Sequence, residues 1–335
     1  MRRSLLVAAL VPLAACATVP SGGISEGALR QHIAILASDA FEGRKPGTAG
    51  GRATEAYVAG QFAAVGLSPG AADGSWLQRV RLVPKNGDPV LANNIIGRVR
   101  GTLGGGETIV VMAHWDHLGL CRPPGARDRI CNGAVDNASG VAVLIETARG
   151  VAHGPRPLRD VLFVATTGEE MGLLGARAFV ANPPVPRDRI LAALNLDTVA
   201  VGPRGSAVSI VGRGMTGLDP VVDAVARSLG RRVDAGRGAN ALVRRQDGWA
   251  MMEAGVPAIL VGGAYAGGLF ERFLKGRYHQ PDDDVASGLV LGGAAEDADL
   301  HVALVRALAD PRRFPTAATP HAPANHALDS ATNPH

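Results

Sequence analysis

The chain has 335 residues, of which 47% are hydrophobic, and its 34 Lys or Arg and 30 Asp or Glu residues give a net charge of +4. So high an apolar share with so small a net charge excludes a disordered chain, and three cysteines exclude a disulfide-built scaffold or a thiolate metal cluster. The arginines are scattered without a basic block, which indicates a solvated surface and no nucleic-acid partner.

The first 23 residues have the pattern of an export signal followed by a tether. Arg2 and Arg3 precede an apolar run over 5–13, which is too short to span a bilayer. Small residues then lead to Cys16, in a pattern that resembles the lipidation site of bacterial lipoprotein signals. The sequence therefore predicts an exported lipoprotein that faces the periplasm and contacts the membrane only through its lipid. An ordinary signal peptide and a soluble secreted protein are the alternative.

Residues 24–312 alternate helix-like and strand-like segments, which predicts one α/β domain. In chain order these are a helix that begins after Ser25, a helix over 52–65, strands over 77–83, 94–99 and 108–113, a helix over 138–149, a strand over 160–166, a helix over 172–181, strands over 190–196 and 207–211, helices over 218–229 and 247–254, a strand over 257–261 and a helix over 294–309. Uniformly apolar strands are typical of a sheet covered on both faces. We therefore expect a three-layer α/β sandwich with a mixed, mostly parallel central sheet and helices on both faces.

The segment that follows this domain has a different composition. Residues 313–335 are rich in Pro, Ala, Thr, Asn and His without periodicity, which predicts a disordered tail.

Within the domain, Cys121 and Cys131 flank a loop rich in Pro and Gly. In an oxidising compartment this pair predicts a disulfide, which would stabilise the fold by about 2–3 kcal/mol. Glu42 and Arg44 are expected to form an ion pair or a cap.

Acidic and histidine side chains follow the apolar strands at the points where the strands end. The set comprises His114, Asp116, Glu169, Glu170 and Asp197, and Asp136 joins it from the start of the helix over 138–149. The carboxyl edge of an α/β sheet is where such folds build their sites. Burying several carboxylates together costs several kcal/mol each unless a cation compensates them, so the sequence predicts a metal site at this edge.

The spacing of these residues indicates separate roles. His114 and Asp116 are two positions apart at a strand end and therefore point to one side, where the Asp can orient the His ring. Glu169 and Glu170 are adjacent and diverge, so one can bind metal while the other faces a water molecule. Asp136 opens a helix and offers two oxygens, enough to bridge two ions. His117 is expected to face away from His114 and to have a structural role.

Five motifs occur in an order that resembles the di-zinc exopeptidases, specifically the aminopeptidase Y and bacterial leucyl aminopeptidase family (family-28 metallopeptidases). They are His-Trp-Asp-His-Leu-Gly from His114, the segments 132–140, 168–175 and 195–197, and Tyr278-His279. With the upstream segments 39–44 and 46–48, the likeness covers most of residues 35–285.

The resemblance implies two Zn²⁺ ions and a role for each site residue. One ion would be held by His114, Asp136 and Asp197, and the other by Asp136, Glu170 and His279. Co²⁺ or Mn²⁺ are possible substitutes. Glu169 would be the general base, with Asp116 as the partner of His114, and a cis peptide is expected after Asp136. The residues of the substrate pocket are the part of the family pattern that matches this sequence least well. The candidates for this pocket are Arg245, Asp247 and Trp249.

The implied activity is that of a zinc-dependent exopeptidase. The main expectation is an aminopeptidase that removes N-terminal residues from peptides through a water bridging two metals. A carboxypeptidase-like member, with Arg244 or Arg245 receiving the terminal carboxylate, and a glutaminyl-cyclase-like member of the same fold are the alternatives. A non-catalytic receptor on this scaffold is disfavoured because every expected ligand is present. A monomer is favoured, although the sequence leaves the oligomeric state open.

Overall fold

The computed structural model describes residues 23–316. The predicted signal segment, Cys16 and most of the predicted tail lie outside the described residues. The helices are α1 (Glu26–Leu36), α2 (Ala49–Ala64), α3 (Gly140–Ala152), α4 (Leu174–Ala181), α5 (Asp219–Ser228), α6 (Gly248–Glu253), α7 (Leu269–Lys275) and α8 (Leu291–Leu308). The strands are β1 (Ser68–Pro69), β2 (Leu77–Leu82), β3 (Val90–Val99), β4 (Thr108–His114), β5 (Gly119–Leu120), β6 (Ile130–Cys131), β7 (Asp160–Thr166), β8 (Ile190–Asn195), β9 (Ser209–Val211) and β10 (Ala258–Gly262).

The described part of the chain contains one eight-stranded mixed sheet. Its order is β1-β3-β7-β4-β8-β10-β9, and β2 pairs with β3. The four central strands β7, β4, β8 and β10 run parallel, whereas the outer pairs are antiparallel. The parallel part of the sheet therefore lies at its centre, and the antiparallel strands lie at its edges.

Both faces of the central strands are buried. Along β4, Ile109 and Val111 belong to the core formed with α1, α2, α3 and α8, while Val110 and Met112 belong to the core formed with α4 and α6. This two-sided burial explains why the strands read as uninterrupted apolar runs in the sequence. The expected three-layer α/β sandwich is confirmed. Among the described helices, none combines the length and apolar character needed to cross a membrane.

The packed structure extends beyond the predicted boundary at residue 312. Phe314 is only 2% exposed, and its carbonyl accepts a hydrogen bond from the buried guanidinium of Arg159, which also binds the carbonyl of Leu308. Residues 313–316 are thus part of the domain, because one buried aromatic ring and one buried arginine outweigh the loop-like composition.

The expected disulfide between Cys121 and Cys131 is present, with sulfurs 2.08 Å apart. It joins the ends of the loop between β5 and β6, which form a short antiparallel pair of strands. The sulfur of Cys131 lies 3.5 Å from the carbonyl oxygen of His279, so the bridged loop contacts the segment that carries a predicted metal ligand.

Candidate metal centre

The predicted ligands converge because three parallel strands end at one edge of the sheet. In β4, His114 lies opposite Thr166 of β7, and Met112 lies opposite Asn195 of β8. The segments that follow β7 and β8 carry Glu170 and Asp197, and Asp136 lies just before α3, so chain positions separated by more than 50 residues meet at this edge. The peptide after Asp136 is cis, as the resemblance implied.

The structure brings the five predicted ligands into two groups that share Asp136. In the first group, Nε2 of His114 lies 3.3 Å from Oδ1 of Asp136 and 3.5 Å from Oδ1 of Asp197. In the second, Nε2 of His279 lies 3.3 Å from Oδ2 of Asp136 and 3.0 Å from Oε2 of Glu170. Each oxygen of Asp136 therefore faces a different histidine. Their role as metal ligands stays a prediction.

These groups have the dimensions of metal-ligand sets. Tetrahedral zinc with bonds of about 2.0–2.1 Å separates its donor atoms by about 3.3 Å, close to the four separations observed. Nε2 of His279 is buried and has no hydrogen-bond partner within the described residues. A nitrogen atom aimed at two carboxylates without a hydrogen bond is what a metal ligand requires. The side chains thus fit divalent cations.

The buried side chains of the two ligand groups shift one another's pKa values. Burial opposes the charged form of His279, but the carboxylates of Asp136 and Glu170 outweigh it and raise its pKa to about 9. Burial likewise opposes ionisation of Asp136, yet His114 and His279 hold its pKa well below the usual range. The cluster therefore favours carboxylates as anions paired with positive charge.

Glu169 belongs to neither ligand group and lies beside both. Its backbone N–H donates to Oδ1 of Asp116 at 3.1 Å, and its side chain lines a cleft together with His114, Asp136 and Asp197. Burial raises the pKa of Glu169 well above its ordinary value, with further contributions from nearby carboxylates. A carboxyl group that readily holds a proton beside the ligands is suited to proton transfer.

The contact between Asp116 and His114 differs from the expected one. Nδ1 of His114 lies 3.1 Å from the backbone carbonyl of Asp116 and 3.7 Å from its carboxylate. The backbone carbonyl is therefore the closer acceptor. The carboxylate instead receives the N–H of Glu169 and so connects the β4 and β7 ends.

His117 contacts the second ligand group. Its ring is 1% exposed, and Nδ1 lies 2.7 Å from Oε1 of Glu170. Because β4 ends at His114, the segment that carries His117 is not part of that strand. The structural role expected for His117 stays a prediction, with Glu170 as its partner.

Asn137 connects three segments of the site. Its amide nitrogen donates to the carbonyls of His114 and Leu196, at 3.3 and 3.0 Å, and its oxygen accepts the N–H groups of Gly140 and Thr198, both at 3.0 Å. Sequence reasoning missed this residue. An Asn directly before the helix predicted over 138–149 is a capping signal that could have indicated it, since its oxygen accepts the N–H three residues on.

Arg44 supports the backbone of the site. Backbone carbonyl groups bind its guanidinium, rather than the expected ion-pair partner Glu42. Its guanidinium is fully buried, and burial lowers its pKa to about 10. Within the described chain it donates to the carbonyls of Leu36, Trp115, Asn132, Gly133 and Asp136. It thus supplies a buried positive charge and fixes the backbone around two predicted ligands.

The three pocket candidates separate in the structure. Arg245 is exposed and lines the cleft together with Glu169, where it lies 5.7 Å from the ring centre of Tyr278. Asp247 is fully buried and hydrogen-bonds Thr166, and burial raises its pKa to about 7. Trp249 packs against the core on the α4 and α6 side. Asp247 directly precedes α6 and Trp249 lies in its first turn, and neither lines the cleft that contains Arg245. Their role in substrate binding stays a prediction.

Comparisons with known proteins agree with this site. The model of Peptidase family M28 matches residues 94–300, which is more than half of the chain and includes all five predicted ligands. A vacuolar membrane protease of Candida albicans is 36% identical over 92 residues, which cover 28% of this chain and 10% of the relative. The matched region thus spans about a tenth of the length of that relative.

Solved structures share the fold over most of the chain. Glutaminyl cyclase of Porphyromonas gingivalis is 21% identical with a TM-score of 0.65, covering 84% of this chain and 96% of that chain. A zinc aminopeptidase of Bacillus subtilis is 17% identical with a TM-score of 0.64, covering 88% and 98%. On the match over residues 94–300, the protein belongs to peptidase family M28.

Proposed function

We propose that the protein is a zinc-dependent aminopeptidase that uses two metal ions. The observation that carries this proposal is the pair of ligand groups sharing Asp136, with the carboxyl group of Glu169 beside them and bound to neither. His114 and Asp197 would complete one site, and Glu170 and His279 the other. Zn²⁺ suits these nitrogen and carboxylate donors, and Co²⁺ or Mn²⁺ would be substitutes.

Divalent ions bound here would polarise the scissile carbonyl and acidify a water molecule. The residues of the chain supply the remaining chemistry. Glu169 would accept the proton of the attacking water and deliver it to the leaving amine, which fits a carboxyl group whose burial favours its protonated form. Arg44 and Asn137 would keep the backbone carbonyls and N–H groups of the site in fixed positions.

The lining of the cleft supports cleavage at the N-terminus. His114, Asp136 and Asp197 of the first ligand group line it together with Glu169, so the free α-amine of a substrate in the cleft would lie beside the ion that this group would hold. Apolar side chains of Leu242 and Phe270 line the same cleft and suit the side chain of the first residue. An internal peptide segment has no free amine for that ion, so an exopeptidase is favoured over an endopeptidase.

Two alternatives remain within the same fold. Arg245, exposed at the cleft, could receive a terminal carboxylate, as a carboxypeptidase requires. The likeness to glutaminyl cyclases supports a second alternative, in which the α-amine of an N-terminal glutamine attacks its own side-chain amide and ammonia leaves. That reaction consumes no water, so its products differ from those of hydrolysis.

A comparison of three substrate classes tests the proposal. Purified zinc-loaded protein would be assayed with aminoacyl amides, with dipeptides that are acetylated at the amine and keep a free carboxylate, and with glutaminyl peptides. We expect release of the free N-terminal amino acid from the substrates with a free amine and not from the acetylated dipeptides, loss of activity with chelator and recovery with Zn²⁺. Cleavage of the acetylated dipeptides would favour the carboxypeptidase, and ammonia release from glutaminyl peptides without release of free glutamine would favour the cyclase.

We also propose that the protein is exported and lipidated at Cys16, that it acts in the periplasm, and that it is a monomer. The signal pattern of residues 1–23 supports export, and the disulfide between Cys121 and Cys131 suits an oxidising compartment. Fatty-acid labelling of the wild type and of Cys16→Ser in the native host would test lipidation, and light scattering would test the monomer. Equal labelling of the two proteins would contradict lipidation at Cys16.

A further inference from the structure

The two carboxylate oxygens of Glu170 have different partners. Oε2 lies 3.0 Å from Nε2 of His279, inside the second ligand group. Oε1 lies 2.7 Å from Nδ1 of His117, at the distance of a strong hydrogen bond. One side of Glu170 therefore faces the predicted ion and the other faces a histidine that the family's ligand pattern does not use.

The distances favour a hydrogen bond by His117 over metal ligation. Donor atoms on one tetrahedral zinc ion lie about 3.3 Å apart, and the pairs within the ligand groups are 3.0–3.5 Å apart. Nδ1 of His117 is too close to Oε1 of Glu170, at 2.7 Å, and far from Oδ2 of Asp136, at 4.0 Å. This geometry fits a proton on Nδ1 that is donated to the carboxylate.

The ring of His117 is held in this orientation by its surroundings. A Cβ on Gly133 would lie 2.6 Å from Cδ2 of His117, so the ring occupies space that only glycine leaves free. The ring also packs edge-on against His279, with centres 5.6 Å apart and planes at 70°. Because the ring is 1% exposed, water does not compete for its N–H.

We propose that His117 is a positioning residue that orients Glu170 for the second metal ion. This inference rests on the two-ion site of the proposed function. The hydrogen bond from Nδ1 fixes the rotation of the carboxylate, so that Oε2 points toward His279 and Asp136. Loss of such an outer partner weakens metal binding by about 10–100-fold in comparable sites. His114 and Asp197 lie in the other group, so the first ion keeps its affinity.

Four variants test this assignment. His117→Phe keeps an aromatic ring and removes the donor, and His117→Asn keeps an N–H near the position of Nδ1. His117→Gln moves the N–H toward the position of Nε2. The matched control is His32→Phe, which removes a buried histidine–carboxylate contact of 3.0 Å between His32 and Glu146, outside both ligand groups.

The readouts are the zinc content and the affinity of each ion, measured by competition with a chromogenic chelator, and the visible spectrum after loading with Co²⁺. Thermal unfolding checks that each variant folds. We expect His117→Phe and His117→Gln to bind the second ion about 10–100-fold more weakly. His117→Asn should recover most of this affinity, and His32→Phe should bind both ions as the wild type does.

Several outcomes would overturn the inference. If His117→Phe bound both ions with wild-type affinity, the hydrogen bond from His117 would have no role in orienting Glu170. If His117→Asn lost the second ion as completely as His117→Phe, the residue would act as a ligand. Should His117→Phe fail to fold, equal affinities in the Asn and Gln variants would refute the assignment. A wild type that binds fewer than two ions would contradict the proposed function itself.

Discussion

Oδ2 of Asp283 accepts a hydrogen bond from the backbone N–H of Asp136 at 3.0 Å, and Oδ1 accepts the preceding N–H, that of Val135, at the same distance. Asp283 is fully buried, and burial raises its pKa to about 6 despite these two bonds. One acidic residue thus fixes the backbone of another that both ligand groups share.

Replacing Asp283 with Asn is expected to destabilise the fold by about 1–3 kcal/mol. An amide has one acceptor oxygen, so one of the two N–H groups would face the NH2 group and stay unpaired. Urea unfolding in the presence of chelator measures this effect without the contribution of bound metal. The control is Asp282→Asn at an exposed neighbour, and equal losses in the two variants would contradict the prediction.

Arg44→Lys is expected to lower the free energy of unfolding by about 3 kcal/mol. An ammonium group cannot reach carbonyl groups that lie on several sides of a planar guanidinium, so buried acceptors stay unpaired. The measurement is the urea midpoint at constant slope. Arg52→Lys is the matched control, because Arg52 is exposed and its guanidinium donates to the single carbonyl of Gly47. A stable Arg44→Lys protein would show that the network is dispensable.

Glu169→Gln is expected to keep both zinc ions and to lose about 10²–10⁴-fold in kcat. The amide keeps the size of the side chain but cannot accept a proton. Zinc content and kcat are measured on the same sample, and Glu170→Gln serves as the contrast because it should lose affinity for the second ion. Turnover near that of the wild type in Glu169→Gln would exclude Glu169 as the base.

Asp297→Asn is expected to change how stability depends on pH. Burial raises the pKa of Asp297 to about 6, although Arg231 and the N–H of Gly263 oppose this. Between about pH 4 and pH 6 the folded chain holds a proton that the unfolded chain has lost, so the free energy of unfolding falls as pH rises. Stability from this group is therefore complete below about pH 4 and lost above about pH 6.

The size of this effect follows from the two pKa values. A difference of about two units corresponds to about 3 kcal/mol. Asn resembles the neutral acid and does not titrate, so the wild type should lose about 3 kcal/mol relative to Asp297→Asn between pH 4 and pH 7. Urea unfolding of both proteins across this range measures the difference, and a constant difference would contradict the raised pKa.

Removing the disulfide is expected to cost about 2–3 kcal/mol, because the bridge closes a loop of about ten residues in the unfolded chain. The double variant Cys121→Ser/Cys131→Ser is compared with the wild type by urea unfolding. A reducing agent should destabilise the wild type to the same extent and leave the double variant unchanged. Equal stability of the oxidised wild type and the variant would show that strain or residual structure offsets the bridge.

The sequence by itself determined the fold class and the set of candidate ligands. Both follow from local patterns: apolar runs such as 108–113 specify strands buried on two faces, and polar residues directly after such runs must emerge at one edge of a parallel sheet. His114 and Asp197 were found in this way, and Asp136 was found from its position at the start of a helix. His279 has no such strand before it and was found through the resemblance of Tyr278-His279.

The tertiary structure alone decided which residues support these ligands. Arg44, His117 and Asp283 act on segments that lie up to about 150 positions away in the chain, and no local period encodes such a pairing. Each carries a polar group whose burial is tolerated only when a specific partner satisfies it, and the partner is set by how the layers pack. The same reason applies to Asp247, which is fully buried: a residue type suggests a role, but burial, which is a property of the whole fold, determines whether substrate can reach it.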